Sequence, residues 1–172
     1  MEENERRREE EKQNQIQDYT EIAWLKVLNQ DLDKPQCPQI KLLKKWQNHQ
    51  RCCCYEFEDE TGKYYQYDWH WAMKEAKFRC LNVLSNEDWM KLKKELWSDW
   101  LKKLLNLKKL EDYKGYYNIN TNDFLDVDEA YYWSSPSNFN CSYICNLSYF
   151  KDKVISFTDD EKHILSVRCF KD

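Results

Sequence analysis

The chain has 172 residues, of which 41% are hydrophobic and 34% charged, and its net charge is −4. This length suffices for one domain with a packed core, and the small acidic charge argues against a dedicated nucleic-acid binder. No run approaches the ~18 apolar residues of a membrane-spanning helix, and residues 1–17 lack the apolar stretch of a secretory signal. We therefore expect a soluble, cytoplasmic chain without membrane or nucleic-acid partners.

The cysteines are numerous for a chain with no export signal. In a reducing compartment we expect them to be thiols that serve as small hydrophobic residues. The run Cys52-Cys53-Cys54 lacks the Cys-x-x-Cys spacing that is typical of a structural zinc site. We therefore predict no metal site and no cofactor. The eight are Cys37, Cys52, Cys53, Cys54, Cys80, Cys141, Cys145 and Cys169.

The first third of the chain begins with charged, low-complexity sequence. Residues 1–17 predict a solvated tail, disordered or helical, ahead of a domain over residues 18–172. A coiled-coil arm is the alternative, but the tail has no apolar heptad seam. The apolar stretch Tyr19–Leu28 predicts a strand or a short helix, Pro35 and Pro38 break the chain, and a second apolar piece runs over residues 40–46.

The middle of the chain predicts a hairpin followed by two helices. Aromatic residues alternate on both sides of a turn at Gly62, as in a β-hairpin. Asp68 precedes a helix-like stretch that reaches Lys77. Ser85 and Asp88 form a capping box, and the apolar residues that follow it repeat at three- and four-residue spacing, which predicts one amphipathic helix with a core-facing side. These residues are Trp89, Leu92, Leu96, Trp97, Trp100, Leu101, Leu104 and Leu105.

That apolar face has an alternative interpretation, in which it docks a partner helix.

After Gly115 the composition changes: Lys and Glu become rare, while Asn, Ser, Tyr, Asp and Phe become frequent. Two short strands are predicted near the end, over residues 153–157 and 165–170. The order of hairpin, helices, irregular segment and strands predicts an α+β fold.

Four short motifs carry a resemblance to a known family. They are Tyr64–Met73, Asn86–Trp89, Tyr132–Ser135 and Ser166–Cys169. In order and spacing they resemble the Fibrobacter succinogenes major paralogous domain, a relative of the formylglycine-generating-enzyme branch of the C-type-lectin fold. The resemblance covers roughly residues 18–170. It implies a C-type-lectin-like fold in which two helices pack on short, irregular β-sheets.

The sequence departs from the family pattern at two points. The Pro-Thr pair that the family places before its second helix is replaced by Leu84-Ser85. The family's glycines are mostly absent, and Trp97 and Trp100 stand near positions where glycine is common.

Some proteins with this fold are the variable targets of diversity-generating retroelements, in which randomised adenines scatter asparagine codons. The resemblance implies such a variable segment at about residues 134–165. Codons of this kind cannot yield Lys, Glu, Gln, Met or Trp. Residues 137–150 contain none of these five and carry no charge, in a chain otherwise dense in Lys and Glu. An ordinary polar and aromatic β-segment accounts for the same composition, because β-propensity favours Tyr, Phe and Ile.

The expected function is display of an exchangeable surface that binds ligands, most naturally proteins. Rigid aromatic side chains with small polar ones are typical of adaptable binding surfaces. Trp133, Ser134, Ser135 and Arg168 are expected to be scaffold, with Trp133 in the core. The predicted surface consists of Ser137, Asn138, Phe139, Asn140, Cys141, Ser142, Tyr143, Cys145, Asn146, Ser148, Ser156, Phe157, Asp159 and His163.

Strand alternation divides the C-terminal residues further. Asn146, Ser148, Ser156 and the loop 137–143 are expected to face outward. The residues expected to face inward are Leu147, Tyr149, Val154, Val167 and Cys169.

An enzymatic alternative rests on two cysteines. Formylglycine-generating enzymes use a cysteine pair for copper-dependent oxidation, and thiolates suit Cu(I). Here Cys141 and Cys145 are one residue closer than that family's pair, so we predict no catalytic site and keep a copper oxidase as the alternative. A generic lectin-like interaction module is the other.

Two further groups of residues have ordinary explanations. His70 is expected to be a packed or hydrogen-bonded residue rather than a general base. The run Asp159-Asp160-Glu161 could hold calcium, but a solvated charged turn is expected because the spaced ligand pattern is missing.

Overall fold

The computed structural model describes residues 2–8, 19–22, 25–44, 53–135, 143–149, 154–158 and 163–171. For Ser98, Tyr143, Ile144 and residues 154–158 it describes the backbone. The fold is mixed α+β, as the sequence predicts, and the described strands form four small sheets. Part of the predicted tail, residues 2–8, forms the helix α1.

One sheet joins the beginning of the described domain to its end. Its strand order is β1 (Tyr19–Ile22), β2 (Leu25–Leu28), β13 (Cys169–Lys171) and β6 (Asn82–Val83). All neighbours are antiparallel, and Val27 pairs with Phe170. The stretch predicted as a strand or short helix is therefore a pair of strands.

The predicted hairpin forms a second sheet. Strands β4 (Cys53–Asp59) and β5 (Gly62–Tyr67) are antiparallel, and β3 (Lys41–Lys44) adds to β4 in parallel. The turn needs a glycine, because Gly62 has φ +114°, a region that side chains rarely enter. The aromatic rings of this hairpin pack with Tyr117 and Phe124, which joins the sheet to the next one.

The third sheet comprises β12 (His163–Ile164), β7 (Tyr116–Asn118) and β8 (Asp123–Leu125). The fourth comprises β11 (Val154–Thr158), β10 (Tyr143–Ser148) and β9 (Glu129–Trp133). Both are antiparallel throughout.

Both predicted helix starts are confirmed. Helix α2 (Trp69–Phe78) begins after Asp68, whose carboxylate accepts a hydrogen bond from the His70 amide at 3.0 Å. Helix α3 (Asn86–Glu95) begins with the reciprocal capping box of Ser85 and Asp88.

The prediction of one helix from Trp89 to Leu105 is wrong. Leu96 and Trp97 have extended backbones, so α3 ends and a second helix, α4 (Ser98–Leu104), begins. A 3₁₀ turn, Leu110–Asp112, follows. The predicted apolar face divides in the same way: Trp89, Leu92, Leu101, Leu104 and Leu105 are core residues, whereas Trp97 and Trp100 are exposed, Trp97 by 81%.

The core lies on both sides of β9 and β10. On one side Tyr132, Cys145 and Leu147 pack with Trp89 of α3 and the leucines of α4. On the other side Tyr131 and Trp133 pack with α2 and with Leu165, Val167 and Cys169. No helix among the described residues has the length and apolar character needed to cross a membrane.

Candidate ligand-binding surface

Two parts of the predicted variable segment, residues 136–142 and 159–162, adjoin the same end of the sheet formed by β9, β10 and β11; they are called the first and the second stretch below. Strand β9 ends at Trp133, which pairs with Ile144, and β10 begins at Tyr143, which pairs with Thr158, the last residue of β11. The chain therefore leaves this end towards residues 136–142 and re-enters at Tyr143. It leaves the same end again after Thr158, towards residues 159–162.

The residues just before the first stretch, Ser134 and Ser135, are hydrogen-bonded to the rest of the fold. The Trp69 indole donates a hydrogen bond to the Ser134 carbonyl at 2.9 Å, and the Ser135 amide donates to the Leu84 carbonyl at 3.0 Å. Ser134 is fully buried, and Ser135 forms a parallel bridge with Ser85. The capped start of α3 and the first residue of α2 thus fix the point where the first stretch begins.

The residues just after the second stretch, from His163 to Leu165, are also paired with the rest of the fold. His163 pairs with Asn118 of β7, and its ring lies edge-on to Tyr116 at 4.7 Å between centroids. Leu165 exchanges two backbone hydrogen bonds with Tyr67, at 2.8 and 3.1 Å. His163, predicted to belong to the binding surface, is half-buried at the boundary between that surface and the scaffold.

Trp133 contacts both β5 and the last part of the chain, and the prediction that it is a core residue is confirmed. It is fully buried, its indole donates to the Tyr67 carbonyl at 2.7 Å, and its amide donates to the Ser166 carbonyl at 3.1 Å. A buried indole N–H needs such an acceptor. Trp133 therefore joins β5, β9 and the last part of the chain.

Arg168 holds the terminal sheet to the helices. Its buried guanidinium contacts Asp31 at 2.8 Å and donates to the carbonyls of Leu28 at 2.8 Å, Leu104 at 3.3 Å and Leu105 at 3.1 Å. Burial alone would lower the pKa of Arg168, but Asp31 and Tyr132 offset this and raise it above its ordinary value. The arginine is a charged structural centre, as expected of scaffold.

The opposite end of the sheet is a polar network. The Tyr131 hydroxyl lies 2.6 Å from a Glu129 oxygen and 2.7 Å from an Asp126 oxygen, and the Asn146 amide donates to Glu129 at 3.2 Å. Burial, together with these two carboxylates, raises the pKa of Tyr131. Asn146 is thus hydrogen-bonded within the fold.

Three residues predicted for the ligand-binding surface are buried instead. Cys145 is 0% exposed, Asn146 8% and Ser148 6%. Alternation placed Asn146 and Ser148 outward on the assumption of a solvated face, but β10 is covered on both faces. Tyr149 was expected to face inward, yet it lies past the end of the strand and is 40% exposed, with its ring against Tyr113.

Other predicted positions have a backbone place or lie outside the described residues. Tyr143 opens β10, and in β11 Ser156 pairs with Cys145 and Phe157 with Ile144. The inward predictions for Leu147, Val167 and Cys169 are confirmed, while Val154 is described by its backbone in β11. The predicted surface residues that lie outside the described part are Ser137, Asn138, Phe139, Asn140, Cys141, Ser142 and Asp159.

The chemistry of Cys145 does not favour the copper-oxidase alternative. Burial strongly raises the pKa of this thiol, with only a small opposing effect of Lys93, so the thiolate that binds Cu(I) is disfavoured. Its predicted partner, Cys141, lies outside the described residues. None of the described cysteines forms a disulfide, and the described part of the chain contains no group of three or more His, Cys, Asp or Glu that could hold a metal ion.

A cleft of ≈ 570 Å³ adjoins the fixed start of the first stretch. Ser135 forms one wall, and the others come from α2, β6 and Phe170 of β13. The lining is mixed, with Met73, Leu81 and Val83 beside Lys77 and Asp88. His70, expected to be packed or hydrogen-bonded, is exposed on α2 with its ring edge-on to Trp71 at 5.7 Å.

The sequence did not reveal the partners of the scaffold residues. Asp31 is 137 positions from Arg168, and Trp69 is 65 from Ser134, so no local pattern links them. One available signal was missed: Ser98-Asp99 is a typical first turn of a helix and indicates the start of α4. No protein-family model, curated protein or solved structure matches this chain.

Proposed function

We propose that this chain is a ligand-binding protein with a C-type-lectin-like fold of the formylglycine-generating-enzyme type. It presents an exchangeable surface to protein targets, in the manner of the variable proteins of diversity-generating retroelements. The observation that carries the proposal is the attachment of residues 136–142 and 159–162 to one end of one sheet, between residues fixed to the scaffold.

The finer fold assignment is supported by the way the four family-like motifs contact each other. Tyr67 accepts a hydrogen bond from Trp133, and the amide of Trp133 donates to Ser166. The rings of Trp89 and Tyr132 lie 5.6 Å apart. Motifs that are distant in sequence therefore form one connected structural unit, as expected if they maintain a common scaffold.

The separation of scaffold from exchangeable residues supports the binding role. Fixed ends reduce the conformational freedom that a loop must lose when it binds, and this favours affinity. Residues 137–142 comprise two Ser, two Asn, one Phe and one Cys, and they carry no charge. Small polar residues with an aromatic one suit adaptable recognition of proteins. Replacing them removes none of the hydrogen bonds described for Trp133, Ser134 or Arg168.

A display experiment tests this proposal. Residues 137–142 are randomised in a yeast-display library, and the library is selected against lysozyme as a defined protein probe. A matched library randomises six exposed positions of α3 and α4: Glu87, Lys91, Lys94, Glu95, Asp99 and Lys103. We expect both libraries to be displayed equally well and only the first to yield specific binders.

Two results would count against the proposal. Loss of display across the first library would mean that residues 137–142 are structural, and equal enrichment of both libraries would mean that they hold no special position. The retroelement origin has its own test in the flanking DNA, which should contain a reverse-transcriptase gene and a near-copy of the 3′ end differing at adenines. If both are absent, the proposed function becomes that of a generic lectin-like interaction module.

A further inference from the structure

Strand β11 lies at the edge of its sheet. All five residues pair with β10, from Val154 opposite Leu147 to Thr158 opposite Tyr143, and no other described strand pairs with it. An edge strand presents a row of backbone N–H and C=O groups on its outer side. Such a row is a template for pairing with another chain.

The composition of β11 sets it apart from the other edge strands. Proteins protect sheet edges with charged residues, proline or very short strands. Here β1 carries Glu21, β3 carries Lys41 and Lys44, β5 carries Lys63, β8 carries Asp123 and β9 carries Glu129, while β6 and β12 have two residues each. In contrast, β11 reads Val-Ile-Ser-Phe-Thr, without charge or proline.

We propose that β11 pairs with β11 of a second copy of this chain, antiparallel about a twofold axis at Ser156. This register is self-complementary. Val154 lies opposite Thr158 of the second copy, Ile155 opposite Phe157, and Ser156 opposite itself. β-Branched, aromatic–β-branched and hydroxyl pairs of this kind stabilise antiparallel strands, and no like charges meet within the strand. A twofold interface of identical surfaces is also the commonest form of dimer.

The pairing makes one six-stranded sheet from two three-stranded ones and fixes the direction of the exchangeable surfaces. Residues 136–142 and 159–162, which form the proposed surface, adjoin the Thr158 end of β11, whereas Ser156 and Phe157, predicted for that surface, belong to the dimer interface in this arrangement. Because the two strands are antiparallel, Thr158 of one copy lies beside Val154 of the other. The two surfaces therefore lie at opposite ends of the shared sheet, and the dimer binds two separate targets rather than two sites on one small target.

Sedimentation equilibrium of the unaltered protein, from low micromolar to several hundred micromolar, tests the proposal first. We expect a concentration-dependent monomer–dimer equilibrium. Hydrogen exchange in the same samples should show that the β11 amides that point away from β10, which alternate along the strand, gain protection as the dimer forms. A monomer throughout this range, or a dimer in which these amides keep the same exchange rates, would overturn the proposal.

A charge-swap experiment locates the axis. Ser156→Lys and Ser156→Glu each place like charges opposite one another, so each should weaken dimerisation roughly tenfold or more. An equal mixture of the two variants should dimerise again, which a merely misfolded variant cannot do. The matched pair Asn120→Lys and Asn120→Glu, in the exposed turn after β7, should leave dimerisation unchanged. Dimerisation unaffected by charge at position 156 would place the interface elsewhere.

Discussion

Strand β10 has two ends that are held in different ways. At the Ser148 end, Asn146 is hydrogen-bonded to Glu129, and the Tyr149 amide donates to the Asp128 carbonyl at 3.0 Å. At the Tyr143 end, the chain leaves β9 towards residues 136–142 and leaves β11 towards residues 159–162, which we propose to be exchangeable. The uncharged composition extends over both ends, so composition alone cannot separate scaffold from exchangeable surface. Hydrogen bonding and burial separate them.

The strongest way to test this division is to disrupt the scaffold. Arg168→Met removes the ion pair with Asp31 and the hydrogen bonds that Arg168 donates to the carbonyls of Leu28, Leu104 and Leu105. Breaking a buried ion pair costs about 3–5 kcal/mol, and we expect the lower end because the Asp31 side chain is 35% exposed. Urea unfolding followed by circular dichroism measures the loss. Lys94→Met, which removes an exposed cation, should have little effect.

A smaller loss of stability is expected for a substitution of Trp133. Trp133→Phe removes the indole that donates to the Tyr67 carbonyl and leaves a small void in the core. Together these changes should lower the free energy of unfolding by about 2 kcal/mol. Trp97→Phe is the matched control, because Trp97 is 81% exposed. Equal destabilisation by the two substitutions would contradict the assignment of Trp133 as scaffold.

The comparison between the two ends of β10 can be tested with two asparagines. Asn146→Ala removes a buried donor to Glu129 and should destabilise the fold by about 1 kcal/mol. Asn140→Ala, in the stretch that we propose to be exchangeable, should change stability by less than about 0.5 kcal/mol. Thermal unfolding of both variants provides the measurement. A larger loss for Asn140 would reverse the division drawn here.

The last expected effect appears only at alkaline pH. Burial raises the pKa of Cys169 to about 12, from 9.0 in an unperturbed thiol. The folded state therefore holds this proton more tightly than the unfolded state. The stability contribution is fully present below pH 9 and is lost as the pH rises through 12. Denaturant titrations across this window should show a falling free energy of unfolding, with a slope shallower by up to one proton in Cys169→Ala. An unchanged slope would contradict this assignment.

The sequence predicted those elements whose signals are local. The capping box of Ser85 and Asp88, the helix start at Asp68 and the Gly62 turn each depend on neighbouring residues, and all three are present. The α+β class follows from their order. The fold's finer type remains a proposal because it depends on the resemblance.

The predictions that were wrong failed because they depend on long-range packing. Alternation along β10 assumed one solvated face, but core residues cover one side and the network of Tyr131 and Glu129 occupies the other, which buries Asn146 and Ser148. The helix predicted from Trp89 to Leu105 treated Trp97 and Trp100 as core residues, whereas the chain bends at Leu96 and leaves them exposed. No local sequence pattern indicates the burial of Asn146 and Ser148 or the exposure of Trp97 and Trp100.

The pairing of Val27 with Phe170, and the attachment of Arg168 to Asp31, have a consequence for biosynthesis. These contacts join residues about 140 positions apart, so the terminal sheet cannot close until residues 136–162 have been translated. A reading-frame error in those stretches would remove Arg168 and β13 together. Such a chain would lack the charged centre of its scaffold and be open to proteolysis. A stable fold therefore requires an intact reading frame downstream of residues 136–162.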